Sequence, residues 1–188
     1  MKEVIAELTH QARSSPDVSQ RSGVSVRMSV ANYENLVSNA TRRAIRLGEK
    51  TAAPRVSDLE ALHASTTGKI ELETLGEVRE EQVVDRLIAS ALVATFNRHF
   101  SVRQFDQLIQ AFENGLAVET SDSMPAMDYV HQLSHLEGMR DALDLLGVGK
   151  SPAAVASAVE FVLEGLHLNR KLNKGGGAGP ARYYRWIF

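Results

Sequence analysis

SVRMSVANYENLVSNATRRAIRLG, residues Ser25 to Gly48, carries the strongest structural signal in the chain. Val26, Val30, Tyr33, Val37, Ala40 and Ala44 recur at alternating spacings of four and three, one continuous stripe along a helix. Ser25 suits the N-cap, because its hydroxyl can accept from a free first-turn amide. Gly48 suits the end, where the chain wants a left-handed residue. Arg42, Arg43 and Arg46 lie in the last two turns, where positive charge complements the helix dipole. The stripe predicts that this helix buries its Val/Tyr face.

Working outward, the same periodicity continues almost throughout. A first helix is expected over about 2–13 (Val4, Ile5, Leu8, Ala12), ending before Ser14-Ser15-Pro16 because proline disfavours helix at the preceding residue. The connector SPDVSQRSG follows. Ser57-Asp58-Leu59-Glu60 reads as a capping box opening a short helix to about Thr66. Lys69-Ile70-Glu71-Leu72-Glu73 alternates and is expected to be extended, with no evident partner strand.

A long helix is expected over about Glu77–Arg98, with Val83, Val84, Leu87, Ile88, Ala91, Leu92 and Phe96 inward. Ser101-x-x-Gln104 is a second capping box, leading through Phe105, Leu108, Ile109 and Phe112 to Gly115. Helices over about Pro125–Leu146 and Ser151–Leu172 complete a bundle, the last opened by Ser as N-cap and Pro at the first position. Lys174 to Pro180 reads as a glycine-rich linker, ahead of the tail ARYYRWIF.

Composition excludes several classes. The chain has 188 residues and no cysteine, so thiolate zinc sites, iron–sulfur clusters, disulfides and cysteine nucleophiles are absent. Its longest apolar run, roughly Leu87–Phe96, is far short of the ~20 residues of a membrane span. The first residues lack a secretion signal, so the expected location is cytoplasmic. Charge is uneven: Lys/Arg against Asp/Glu run 9 to 5 over residues 1–55, 6 to 16 over 56–147, and 6 to 2 over 148–188.

Three apparent motifs dissolve on inspection. Gly149-Lys150-Ser151 resembles the end of a phosphate-binding loop, but Asp144 stands where the motif needs glycine, and Pro152 follows at once. It reads as a helix–helix turn. Gly175 to Gly179 lacks the strand and helix that would hold backbone amides on a phosphate. His131 and His135 are one helical turn apart with Asp128 nearby, but the general-base Glu of a zincin and a third ligand are missing. A polar helix face is the simpler reading. In the tail, Arg182, Tyr183, Tyr184, Arg185 and Trp186 interleave cations and aromatics, a pattern for stacking on bases or for docking with Trp186, Ile187 and Phe188 as anchors. Docking is favoured, since a nucleic-acid role asks for more basic charge than the tail has. Arg42, Arg43 and Arg46 add only a weaker argument for nucleic acid.

Gly23-Val24-Ser25-Val26-Arg27 is the most informative constellation. A cation in the first turn opposes the helix dipole unless something negative is close. A phosphate would supply that charge and meet free amides of the same turn. A local carboxylate would serve as well.

Together with the ending Arg43-Ala44-Ile45-Arg46-Leu47-Gly48 and the following Pro54-Arg55-Val56-Ser57-Asp58-Leu59, this element resembles the lid subdomain of AAA+ ATPases. The closest flavour is the MoxR-like and magnesium-chelatase ATPase-subunit group, over about residues 1–66. The resemblance implies an all-α fold: a lid-type helical subdomain at 1–66, a helical bundle extension at 77–172, and a linker with a basic-aromatic tail at 173–188. It implies that Arg27 is the sensor-two arginine touching the terminal phosphate, with Ser25 beside it. The family's Walker A, Walker B and arginine-finger elements are missing from the sequence. The chain is therefore expected to be inactive alone, with ATP and Mg2+ bound only alongside an ATPase core in a ring that remodels a protein substrate. A non-enzymatic helical adaptor is the alternative.

Overall fold

The computed structural model describes residues 1–19, 21, 23–73, 79–133, 136, 138–176 and 180–186. Among them are eight α-helices and a three-stranded antiparallel sheet. The fold is thus mainly helical, and the all-α expectation missed the sheet.

Helix α1 (Lys2–Ser14) buries Val4, Ile5, Leu8 and Ala12 as its spacing predicts. It lies along α4 (Glu80–His99). Polar pairs fasten the α1 region to α4: Glu7 to Arg98 at 2.9 Å, Glu3 to His99 at 2.8 Å, and Asp17 to Arg86 at 2.9 Å. The predicted extended piece at 69–73 finds its partner in the connector. Val18 bridges Leu72 antiparallel, and the Ser19 amide donates to the Glu71 carbonyl at 2.7 Å.

Helix α2 (Val26–Arg46) has the predicted ends. Ser25 Oγ accepts the Arg27 amide. At the other end Gly48 (φ 65°) closes the helix, with the Glu49 amide donating to the Ala44 carbonyl. Its buried face differs from the predicted stripe. Met28, Asn32, Leu36, Ala40, Arg43 and Ala44 are buried, whereas Val26 is 66% and Val30 52% exposed, with Tyr33 and Val37 also open. The cause is polar complementarity. Asn35 donates to the Ala61 carbonyl, Asn39 to Asp58, and Asn32 accepts from Thr66. A face of Asn and Arg turns inward because the next segment supplies most of its hydrogen-bond partners, the Asn32 amide nitrogen being left without one among the described residues.

That segment is a 3₁₀ turn (Val56–Ala61) running into α3 (Leu62–Thr66). Its capping carboxylate is Asp58, which accepts the Arg55 amide at 2.8 Å, two residues ahead of the predicted box. The Ser101–Gln104 box forms as expected: the Ser101 amide donates to Gln104 Oε1 at 2.6 Å. It opens a second 3₁₀ turn (Val102–Phe105) and then α5 (Asp106–Glu113).

The predicted single helix over 125–146 is two, α6 (Ala126–Gln132) and α7 (Met139–Leu145). Gly138 adopts φ 78° ahead of α7, a geometry that helix interiors exclude. Helix α8 (Pro152–Leu168) is apolar around most of its circumference and runs through the centre. One hydrophobic cluster takes residues from every α-helix, so segments 1–66 and 77–172 share a core.

The segment read as linker and tail supplies two strands. Strand β3 (Ala181–Tyr184) pairs with β1 (Val118–Thr120) on one side and β2 (Asn173–Gly175) on the other. Residues 177–179 of the glycine run and the last two residues, 187 and 188, lie outside the described set.

Candidate functional site

The head of α2 is built from its flanks. Gly23 takes φ 63°, and Val24 is buried beneath it. Arg13 from α1 reaches over and donates through Nε and Nη2 to the Val24 carbonyl (3.3 and 3.2 Å). That clamp fixes Ser25 at φ −69°, ψ 142°, the extended geometry an N-cap requires. Ser25 Oγ accepts the Arg27 amide at 3.2 Å, and its carbonyl accepts the Met28 amide at 2.9 Å.

Arg27 is exposed, and its guanidinium makes no hydrogen bond or ion pair with the described residues. The local carboxylate that could have explained it is not there among them. Next to it begins the open stripe of Val26, Val30, Tyr33 and Val37. Lys2 places its ammonium over the Tyr33 ring, 5.6 Å from the centroid. The helix therefore presents a solvated cation at its positive pole and an uncovered apolar face below.

The other end of α2 enters a buried polar network. Arg43 grips Asp58 with Nε (3.1 Å) and Nη2 (2.9 Å), and donates to the Ala53 carbonyl at 2.7 Å. Burial pulls the Arg43 guanidinium toward losing its proton, but the Asp58 hydrogen bonds and charge outweigh that and hold its pKa above the ordinary value. Arg55 is wholly buried. It pairs with Glu49 at 3.1 Å, donates to the Met124 carbonyl at 2.8 Å and lies over the Tyr129 ring at 4.9 Å. Glu49 also accepts the Ala126 amide at the start of α6.

Glu160, inside α8, accepts from the Ser57 amide (2.7 Å), the Ser57 hydroxyl (3.2 Å) and the Tyr129 hydroxyl. Burial raises its pKa, partly offset by those hydrogen bonds and by Arg55. Burial, and then the Glu160 charge, push the Tyr129 hydroxyl well above its ordinary value. One turn on, Glu164 accepts from Tyr183 of β3 and pairs with Lys174 of β2 at 2.7 Å. Ser57, Glu160, Asp122, Lys174 and Tyr183 line a cleft of about 720 Å³ between the 3₁₀ turn, α8 and the β2–β3 hairpin.

These groups pair largely with one another and tie the elements together, while the buried Arg55 Nε has no hydrogen-bond partner among the described residues. The structure separates the predicted basic residues accordingly. Arg43 is internal and cannot meet a nucleic acid, and Arg46 is held by Asp122 at 2.7 Å. Gly149-Lys150-Ser151 connects α7 to α8 with no strand before it. His131 is on α6, while His135 lies outside the described residues; among those described, no group of three or more His, Asp or Glu could hold a metal ion. Sequence inspection passed over Glu160 and Glu164, although two carboxylates four apart inside so apolar a helix are a legible sign of buried partners.

No family model, no curated protein and no solved structure matches the chain. No helix among the described residues is long and apolar enough to cross a membrane.

Proposed function

We propose that this chain is the lid and helical extension of an AAA+ ATPase of the MoxR-like or magnesium-chelatase ATPase-subunit kind. It is inactive alone and reports bound ATP through Arg27, with Ser25 fixing the turn that carries it. The observation that carries this reading is Arg27, exposed and without a side-chain partner among the described residues, at the positive pole of a 21-residue helix whose adjoining apolar face is open among them. A terminal phosphate would satisfy the guanidinium with a charge-assisted pair, and an ATPase core would cover the stripe. Mg2+ would arrive with ATP at that core. In an assembled ring, closure of the lid would couple hydrolysis to remodelling of a partner protein.

The test uses the chain joined to its ATPase core. Arg27→Ala is expected to lower turnover by about 10²-fold, the scale of losing one preorganised charge contact, with the helical circular-dichroism spectrum unchanged. Unchanged turnover would remove Arg27 from this role. The same open stripe also fits an adaptor that binds a protein without nucleotide. Binding of that partner, abolished by Val30→Ser/Val37→Ser and indifferent to Arg27→Ala, would favour the adaptor.

A further inference from the structure

We propose that the cleft between the first 3₁₀ turn, α8 and the β2–β3 hairpin binds a small organic polyamine, held by Glu60 at one N–H-bearing group and by His167 at another. This rests on the lining of the cleft alone and stands apart from the nucleotide reading.

Two periodicities set the lining. On α8, Glu160, Glu164 and His167 recur at spacings of four and three, a polar stripe on a largely apolar helix. In a 3₁₀ turn, residues three apart eclipse one another. Glu60 therefore follows Ser57 on the side of its turn that meets Glu160. Glu60 and His167 both line the cleft of about 720 Å³, a volume within the range of small-molecule sites.

The donors and acceptors of that lining select the ligand. Its donors are engaged. The Ser57 amide and hydroxyl both go to Glu160, the Ser121 amide to the Tyr129 hydroxyl, and the Ser123 amide to the Ser121 hydroxyl. The Lys174 ammonium is held by Glu164 at 2.7 Å and lies 5.6 Å from the centre of the Tyr183 ring. Two of the carboxylates are engaged as well. Glu160 accepts from Ser57 and Tyr129, and the charge of Asp122 is answered by Arg46 at 2.7 Å. Two acceptors stay open among the described residues. Glu60 is exposed, and its carboxylate makes no hydrogen bond or ion pair with them. His167 donates through Nδ1 to the Leu172 carbonyl at 3.0 Å. A carbonyl only accepts, so in the neutral ring Nε2 keeps a bare lone pair. The half-buried ring also stands edge-on to Tyr183, with centroids 6.5 Å apart, which fixes its plane.

One uncompensated negative charge and one fixed neutral acceptor thus face the cleft. A phosphate or carboxylate meets spent donors and a like charge there. An alkylammonium has three N–H donors and no acceptor. It gains a charge-assisted bond to Glu60, and a second amine of the same molecule reaches Nε2 of His167. Acceptors on two separate elements ask for two such groups, which a polyamine carries and a single lysine side chain does not.

Titration calorimetry of the whole chain with spermidine tests this, at about 0.15 M salt, where the Debye length is about 8 Å and diffuse attraction is screened. Saturable one-to-one binding is expected. Glu60→Gln should weaken it about tenfold, the scale of one hydrogen bond to a charged group. His167→Asn keeps a donor for the Leu172 carbonyl, removes the Nε2 acceptor, and should weaken binding about fivefold. Glu60 has no side-chain partner to lose among the described residues, so Glu60→Gln leaves the fold intact, and circular dichroism checks both variants. Glu81→Gln, which removes an exposed carboxylate at the start of α4, should bind as the native chain does. The ¹⁵N resonance of His167 Nε2 should move on adding spermidine and stay in place on adding inorganic phosphate. Absence of saturable spermidine binding overturns the proposal. So does an equal loss in Glu60→Gln and Glu81→Gln, which would mean attraction to surface acids at large. A His167 shift with phosphate overturns it in favour of an anion site, and Nα-acetyl-lysine amide binding as tightly as spermidine overturns it in favour of a protein's lysine side chain.

Discussion

Arg43 of α2 and Asp58 of the first 3₁₀ turn form a two-pronged ion pair sealed from solvent, at 3.1 and 2.9 Å. Asp58 is saturated: its oxygens also accept from the Arg55 amide and from Asn39. Removing one member of such a pair strands the other charge in the interior. Asp58→Ala is therefore expected to cost about 3–5 kcal/mol, read as a fall in the urea midpoint with unchanged slope. Arg43→Met/Asp58→Leu should recover much of that loss, because a buried pair replaced on both sides leaves no uncompensated charge. A double variant no more stable than Asp58→Ala would show that the pair's neighbours, and not its charge balance, set the cost.

The two faces of α2 separate cleanly by mutation. Leu36 is fully buried, while Val30 is open. Leu36→Ala is expected to cost about 2–5 kcal/mol, and Val30→Ser or Val37→Ser to stay within about 0.5 kcal/mol. Chemical denaturation of the three variants decides it, and the reverse ranking would restore the stripe to the core.

That contrast marks where the sequence was legible. Local signals held at several helix ends, where Ser25 and Gly48 bound α2 and Gln104 caps Ser101, but the box read at Ser57 forms two residues earlier on Arg55 and Asp58. They failed where a long-range partner changes the meaning of a residue. Asn32, Asn35, Asn39 and Arg43 look like a surface face until Asp58, Ala61 and Thr66 are placed opposite them. The sheet was hidden because β1 and β3 are three and four residues long and some sixty residues apart, too short for a period-two pattern to stand out. Arg27 was legible as an oddity of charge at a helix head, but its lack of a partner among the described residues needed coordinates.

Glu160 makes stability depend on pH in a direction opposite to that of an ordinary salt-bridged acid. Its folded pKa lies above the usual glutamate value because it is buried. Between the ordinary and the raised value the native state holds a proton that the unfolded chain has released. Stability from this group is present below the unfolded pKa and lost as pH rises through the folded one. The slope has an upper bound of about 1.4 kcal/mol per pH unit for one proton. Urea midpoints followed from about pH 4.5 toward neutrality should fall more steeply for the native chain than for Glu160→Gln. Equal slopes would mean that Glu160 does not titrate there. The comparison with the variant is needed because Glu3 works the other way. Its hydrogen bond with His99 lowers its pKa, so its contribution is lost as pH falls.

At Gly165, α8 lies directly against the Phe96 ring of α4. A Cβ at this position would lie 2.1 Å from Phe96 Cδ2 and 2.5 Å from Cγ. The ring cannot easily move aside, since Phe96 is packed against Phe100, Phe105 and Phe161 at centroid distances of 5.3, 5.7 and 6.1 Å. Two effects of Gly165→Ala therefore compete. Helix propensity favours alanine by about 1 kcal/mol, while overpacking a filled core costs about 1–3 kcal/mol, and more where the neighbour is fixed. The clash is expected to win, so Gly165→Ala should lower the thermal midpoint despite improving the helix. Phe96→Leu alone should also destabilise the chain by leaving a cavity. Combined with Gly165→Ala it should cost less than the sum, because the removed ring atoms make room for the added methyl. Strict additivity in the double variant would show that the two residues do not meet.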